Sequence, residues 1–103
     1  MIYYKDMVPK KAAHPSVVKE LWVENRLGVH ARPAAKISSL ANQFDAEITL
    51  EKDGRRVEAR NLLALLTLDC PQGTRLVLRA GGIQAREAAV AIAALFARKF
   101  GET

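Results

Sequence analysis

The sequence predicts an α+β domain, four short strands and three helices in one chain, with the helices on one face of a single sheet. Three observations point there. Several stretches alternate apolar and polar residues with the period of two that marks a half-buried strand. Others repeat apolar residues at helical spacing. Turn-forming groups, Asn25-Arg26-Leu27-Gly28, Asp53-Gly54, Pro71-Gln72-Gly73 and Gly81-Gly82, separate the two kinds.

The elements follow in order. Val17 to Glu24 reads as a strand, with Leu21 and Val23 alternating with Glu20 and Glu24 and Trp22 breaking the pattern. Ala34 to Phe44 reads as a helix, because Ala34, Ile37, Ser38, Ala41 and Phe44 share one face. Pro33 stands near its start, where a missing N–H costs little. Ala46 to Glu51 alternates cleanly, with Ile48 and Leu50 inward, and Asp53-Gly54 turns it back into Arg55 to Ala59. Asn61 suits the cap of a short apolar helix, Leu62 to Leu68, because its side-chain oxygen can accept an orphan N–H. Arg75 to Ala80 is the last strand. Gln84 to Phe100 is the longest helix, its buried stripe running through Ala88, Ile92, Leu95 and Phe96 to Lys99.

With 103 residues, one domain is expected, and half of them are hydrophobic, enough for a core without staples. Residues 1–17 show no period and read as an N-terminal extension before a domain at 18–103. In it His14 beside Pro15 reads as a solvated side chain, with no second ligand or acid nearby. No apolar run approaches the roughly 20 residues that span a bilayer, and nothing resembles a secretory signal, so a cytoplasmic protein without membrane insertion is expected. The single Cys70 cannot form an internal disulfide and reads as a partly buried structural thiol. Of the net charge of +5, residues 1–19 supply +3. The body has neither the basic clusters nor the aromatic platforms of a nucleic-acid binder, so an acidic protein partner fits better.

The chemistry concentrates in Gly28-Val29-His30-Ala31-Arg32-Pro33-Ala34-Ala35. A histidine stands just before a helix whose first amides have no intrahelical partners and favour negative charge. Neutral imidazole is a competent nucleophile near physiological pH. A phosphoryl group on His30 would face those amides and the Arg32 guanidinium, whose planar fork suits phosphate. The same arrangement also suits plain anion binding, or a capping histidine. Two histidines and one cysteine give no metal-ligand cluster, and no Walker or dinucleotide glycine loop is present.

The stretch Gly28 to Ala34 resembles the active-site signature of the histidine-containing phosphocarrier (HPr) family. So do Asn25-Arg26-Leu27 before it, Phe44-Asp45-Ala46-Glu47 after the first helix, Glu58 through Asp69 and Glu87 through Phe96. The likeness covers about residues 18–100 and is nearest to the nitrogen-branch carriers of the family. It implies an open-faced β-sandwich, a four-stranded antiparallel sheet with three helices on one face. It implies a carrier rather than an enzyme. His30 would take a phosphoryl group on Nδ1 from phosphorylated enzyme I and pass it to a histidine of a IIA domain, with Arg32 holding the phosphoryl oxygens, no cofactor, and a monomeric state. Leu62, Leu63 and Leu66 would form part of the docking surface, with core packing the competing role for Leu63 and Leu66. Arg26, Arg32, Lys36 and Arg60 would steer an acidic partner. Three features depart from the family pattern, the extension of residues 1–17 being one. Asn61 replaces the regulatory serine of many members, so control by a serine kinase is not expected at that position. The turn Gly82 to Arg86 lacks the usual acidic residues.

Overall fold

The computed structural model describes residues 16–103. The extension's His14, Lys5, Lys10 and Lys11 therefore lie outside the described residues. The elements are β1 (Ser16–Trp22), α1 (Ala31–Ala41), β2 (Glu47–Lys52), β3 (Arg55–Glu58), α2 (Leu62–Thr67), β4 (Arg75–Gly81) and α3 (Ala85–Ala97), followed by a 3-10 turn at Lys99–Gly101. The order is the one expected from the sequence.

The four strands form one antiparallel sheet in the order β1-β4-β2-β3. β4 pairs with β1 on one side (Leu21 opposite Leu76) and with β2 on the other (Leu50 opposite Leu78). β1 and β2 therefore run parallel with β4 between them. The connection between them must cross the sheet, and α1 makes that crossing. The β2–β3 hairpin closes through Asp53 and Gly54, both at positive φ (50° and 82°), as a two-residue turn of matching twist requires.

Period-two alternation gives the sheet two unlike faces. Leu21, Ile48, Leu50, Leu76, Leu78 and Ala80 point to one face and are buried there. On them pack Ala34, Ile37 and Ala41 of α1, Leu65 of α2, and Ala88, Ile92, Leu95 and Phe96 of α3. The alanines of α3 let that helix lie close to the sheet. The other face carries Glu20, Trp22, Glu51, Arg75, Val77 and Arg79 and is open, with Trp22 half exposed. Its ion pairs, Arg79 with Glu51 at 2.8 Å and Arg75 with Glu20, contribute little individually because water screens them. The architecture is the open-faced α+β sandwich expected.

Boundaries shift at several places: β1 ends at Trp22 rather than Glu24, α1 ends at Ala41 rather than Phe44, and two shifts bear on the site. α1 starts at Ala31, not Ala34, because His30 itself takes the capping position (φ −85°, ψ −168°) and its carbonyl accepts the first helical bond from Ala34 N at 3.0 Å. Pro33 then falls in the first turn, where no N–H is needed. α3 stops at Ala97, not Phe100, because Lys99, Phe100 and Gly101 all adopt positive φ. Phe100 is buried all the same, its ring meeting that of Phe96 edge-on at 4.8 Å. The stripe read from the sequence ran on to Lys99, which is exposed; the change of backbone handedness puts Phe100 in the core instead.

Candidate functional site

The site lies where β1 gives way to α1. Two backbone bonds, Val23 N to Thr74 O (2.9 Å) and Gly73 N to Val23 O (2.7 Å), hold the end of β1 beside the start of β4. The chain then turns through Asn25–Gly28. Asn25, fully buried, donates from Nδ2 to the Gly28 carbonyl at 2.7 Å and closes the turn with its side chain. Gly28 takes φ +72°, and Val29 N donates to the Cys70 carbonyl at 2.9 Å. His30 thus enters the head of α1 from a turn anchored on both sides.

The His30 ring makes no capping bond to its own helix. About a third of its side chain is exposed, and Nε2 lies 2.9 Å from Oε1 of Glu102. Glu102 also accepts from Asn25 Nδ2 at 2.9 Å. Its carboxyl is held below the usual carboxylate range, first by the bond with His30, then by that with Asn25, with a smaller attraction to Arg32. An ionised carboxylate can only accept, so Nε2 carries the proton in this pair. In the neutral ring Nδ1 then holds a free lone pair. The ring sits at the positive end of α1, where Ala31 and Arg32 precede the first helical hydrogen bond and no acidic side chain occupies the first turn. Arg32 is exposed, and its guanidinium has no hydrogen bond or ion pair among the described residues. A nucleophilic nitrogen beside unpaired amides and an unpaired guanidinium can accept and hold a group bearing negative charge.

The structure places His30 at the cap of α1 and Arg32 in its first turn, with Glu102 bonded to the one and attracted to the other. It adds Asn25 and Glu102, which sequence reasoning missed as site residues. Glu102 is 72 residues from His30 along the chain, and no periodic signal marks it. Asn25 reads from sequence as part of a turn and of the family-like stretch, while its burial and its bond to Glu102 are set by the fold.

The other candidate residues separate. Leu63 is exposed, whereas Leu62 and Leu66 are half buried against the core. Leu27, next to the site, is also exposed. Lys36 donates to the Phe100 carbonyl at 2.6 Å. Arg60 donates to the carbonyls of Phe44 (3.0 Å) and Ala46 (3.1 Å). Both cations are thus engaged inside the fold, tying helix α1 to the segment after α3 and the β3–α2 link to the α1–β2 link. Asn61 caps α2 as expected, accepting from Ala64 N at 3.0 Å. Among the described residues no group of three or more His, Cys, Asp or Glu could hold a metal ion, and no helix is long and apolar enough to cross a membrane.

Comparison with known proteins gives the family. The family described as "PTS HPr component phosphorylation site" matches residues 17–98. The chain belongs to the HPr family. This HPr-family chain is 42% identical over 88 residues to phosphocarrier protein NPr of Escherichia coli (strain K12), covering 84% of this chain and 98% of that protein. It is equally identical over 86 residues to phosphocarrier protein HPr of Treponema pallidum (strain Nichols), again covering 84% and 98%. Among solved structures it resembles HPr from Thermoanaerobacter tengcongensis, with a TM-score of 0.82 and 34% identity, over 84% of this chain and 98% of that one. The HPr-family phosphotransfer role and the α+β architecture stand together: the match spans β1 through α3, with His30 inside it.

Proposed function

We propose that this protein carries a phosphoryl group on Nδ1 of His30, receiving it from phosphorylated enzyme I and delivering it to a histidine of a IIA domain. The observation that carries the reading is the Glu102–His30 bond at the head of α1, which favours the tautomer with its proton on Nε2 and leaves the Nδ1 lone pair free to act as the nucleophile. The transfer is an in-line exchange between two nitrogens, so its catalysis is positioning and charge neutralisation. Arg32 and the first amides of α1 supply the neutralisation. The chain acts as a carrier consumed and regenerated at each step, not as an enzyme with its own substrate, and works in the cytoplasm as a monomer.

Docking uses the exposed apolar side chains Leu27 and Leu63, with the flanks of Leu62 and Leu66. Arg26 and Arg32 attract an acidic partner face, and the bases of Lys36 and Arg60 add to the field while remaining bonded within the fold. The relay is of the regulatory, nitrogen type or of the sugar type, since an NPr and an HPr are equally identical to this chain.

The test is incubation with phosphoenolpyruvate, magnesium and catalytic enzyme I, alongside His30→Ala, with intact mass read at neutral pH and after acid. One phosphoryl mass, lost in acid and absent in the variant, is the expected result. No gain with a cognate enzyme I would overturn the carrier reading.

A further inference from the structure

The segment after α3 is built to deliver Glu102. Lys99, Phe100 and Gly101 take φ of 56°, 57° and 76° in succession. Two consecutive non-glycine residues in the left-handed region persist only where the surroundings hold them. Three contacts do so here. The Phe100 ring is buried against Phe96. Lys36 Nζ donates to the Phe100 carbonyl at 2.6 Å. Arg26 N donates to the Thr103 carbonyl at 2.7 Å. Between the last two anchors lies Glu102, whose Oε1 faces Nε2 of His30 and also accepts from Nδ2 of Asn25.

Resting on the carrier reading, we propose that Glu102 is the counter-charge of the phosphorylated ring, and that Lys36 is a positioning residue that sets it in place through the hook at Lys99–Gly101. The chemistry follows from the tautomer. On loading, the Nδ1 lone pair forms the N–P bond as the donor's own P–N bond breaks. The proton stays on Nε2, and the ring takes up the positive charge that the donor's ring gives up. The Glu102 carboxylate faces that charge at hydrogen-bond distance. On unloading, the N–P electron pair returns to Nδ1 and the ring departs as neutral imidazole. Without the Nε2 proton it would have to depart as imidazolate, a far poorer leaving group. A carboxylate that holds this proton keeps the phosphoryl group transferable as pH rises.

The charged groups of the surrounding segments include Glu24 and Arg26 about the turn, Arg32 and Lys36 on α1, Lys99 on the hook, and Lys52 and Asp69 beside Cys70. Five of these seven are cations, which oppose a proton on the ring. Glu102 is the carboxylate in contact with it.

The experiment compares the wild type, Glu102→Gln, Lys36→Met and Lys36→Arg, each loaded on His30 with phosphoramidate so that no enzyme I is required. Phosphoryl transfer from each to a IIA domain, and loss to water, are followed by intact mass from about pH 6 to 9. Glu102→Gln keeps the shape and the acceptor oxygen but removes the charge. Its alkaline limb should move to lower pH by about one unit. Lys36→Met should move the limb the same way by less, and Lys36→Arg, which can still donate to the Phe100 carbonyl, should restore it. Thermal midpoints of the unloaded proteins separate this effect from a loss of fold. Superimposable profiles for wild type and Glu102→Gln would overturn the proposal, and so would failure of phosphoramidate to load His30. Loading by phosphoramidate but not by enzyme I would instead count against the carrier reading alone.

Discussion

The backbone of Gly28 lies directly on that of Cys70: a Cβ on Gly28 would come within 2.5 Å of the Cys70 carbonyl oxygen and 2.8 Å of the Pro71 Cα. The same carbonyl accepts the Val29 N–H at 2.9 Å. The turn before His30 is therefore seated on the α2–β4 connection, and the seat admits only glycine, which also meets the positive φ. Gly28→Ala should cost at least about 2 kcal/mol, from left-handed strain plus the forced movement of backbone. In a domain of this size that lowers the thermal midpoint by roughly 10 °C. A midpoint within a degree or two of wild type would show that the seat yields.

Asn25 is buried with both of its amide hydrogens directed at acceptors, the Gly28 carbonyl and Glu102. Asn25→Asp keeps the shape but places a carboxylate against two oxygens. The loss of two donated bonds and the repulsion should destabilise the domain by about 2 kcal/mol or more at neutral pH. Protonation restores one donor, so the deficit relative to wild type should shrink on acidification. Urea unfolding at neutral and acid pH reads both effects.

The depressed titration of Glu102 links the site to acid stability. Its folded value lies below the ordinary 4.5, so its contribution is complete above about that pH and is lost as pH falls through the lowered value. Glu20, lowered by its bond with Arg75, titrates in the same direction and is present in both proteins compared. Thermal midpoints of wild type and Glu102→Gln should therefore differ near neutrality and converge in acid. A constant offset down to the acid transition would remove Glu102 from the linkage.

Cys70 is buried, and burial pushes its thiol above the ordinary range despite the nearby Lys52. The native protein should resist alkylation by iodoacetamide at neutral pH and react only after unfolding. Modification of the folded protein at the rate of a free thiol would show that the α2–β4 connection opens.

The succession of strands and helices was legible because each element buries one face, and burial leaves a period of two or of 3.6 in the residues themselves. The Asp53-Gly54 turn and the Asn61 cap were legible for a local reason: each is satisfied by backbone within three residues. His30 and Arg32 stood out because a histidine and an arginine flanking a helix start carry their chemistry in their spacing. Lys36 and Arg60 read from sequence as free surface cations, since nothing local says that a long side chain will reach a carbonyl 64 or 16 residues away.

What the sequence determined by itself is therefore the local part: element order, one-sided burial, and a histidine at a positive helix end. What only the tertiary structure decided is which nitrogen of that histidine is free. The hydrogen bond that settles the tautomer comes from Glu102, brought to His30 by a left-handed hook, a buried ring and the Lys36 bond. Each of these is set by packing between distant segments, which leaves no periodic trace along the chain.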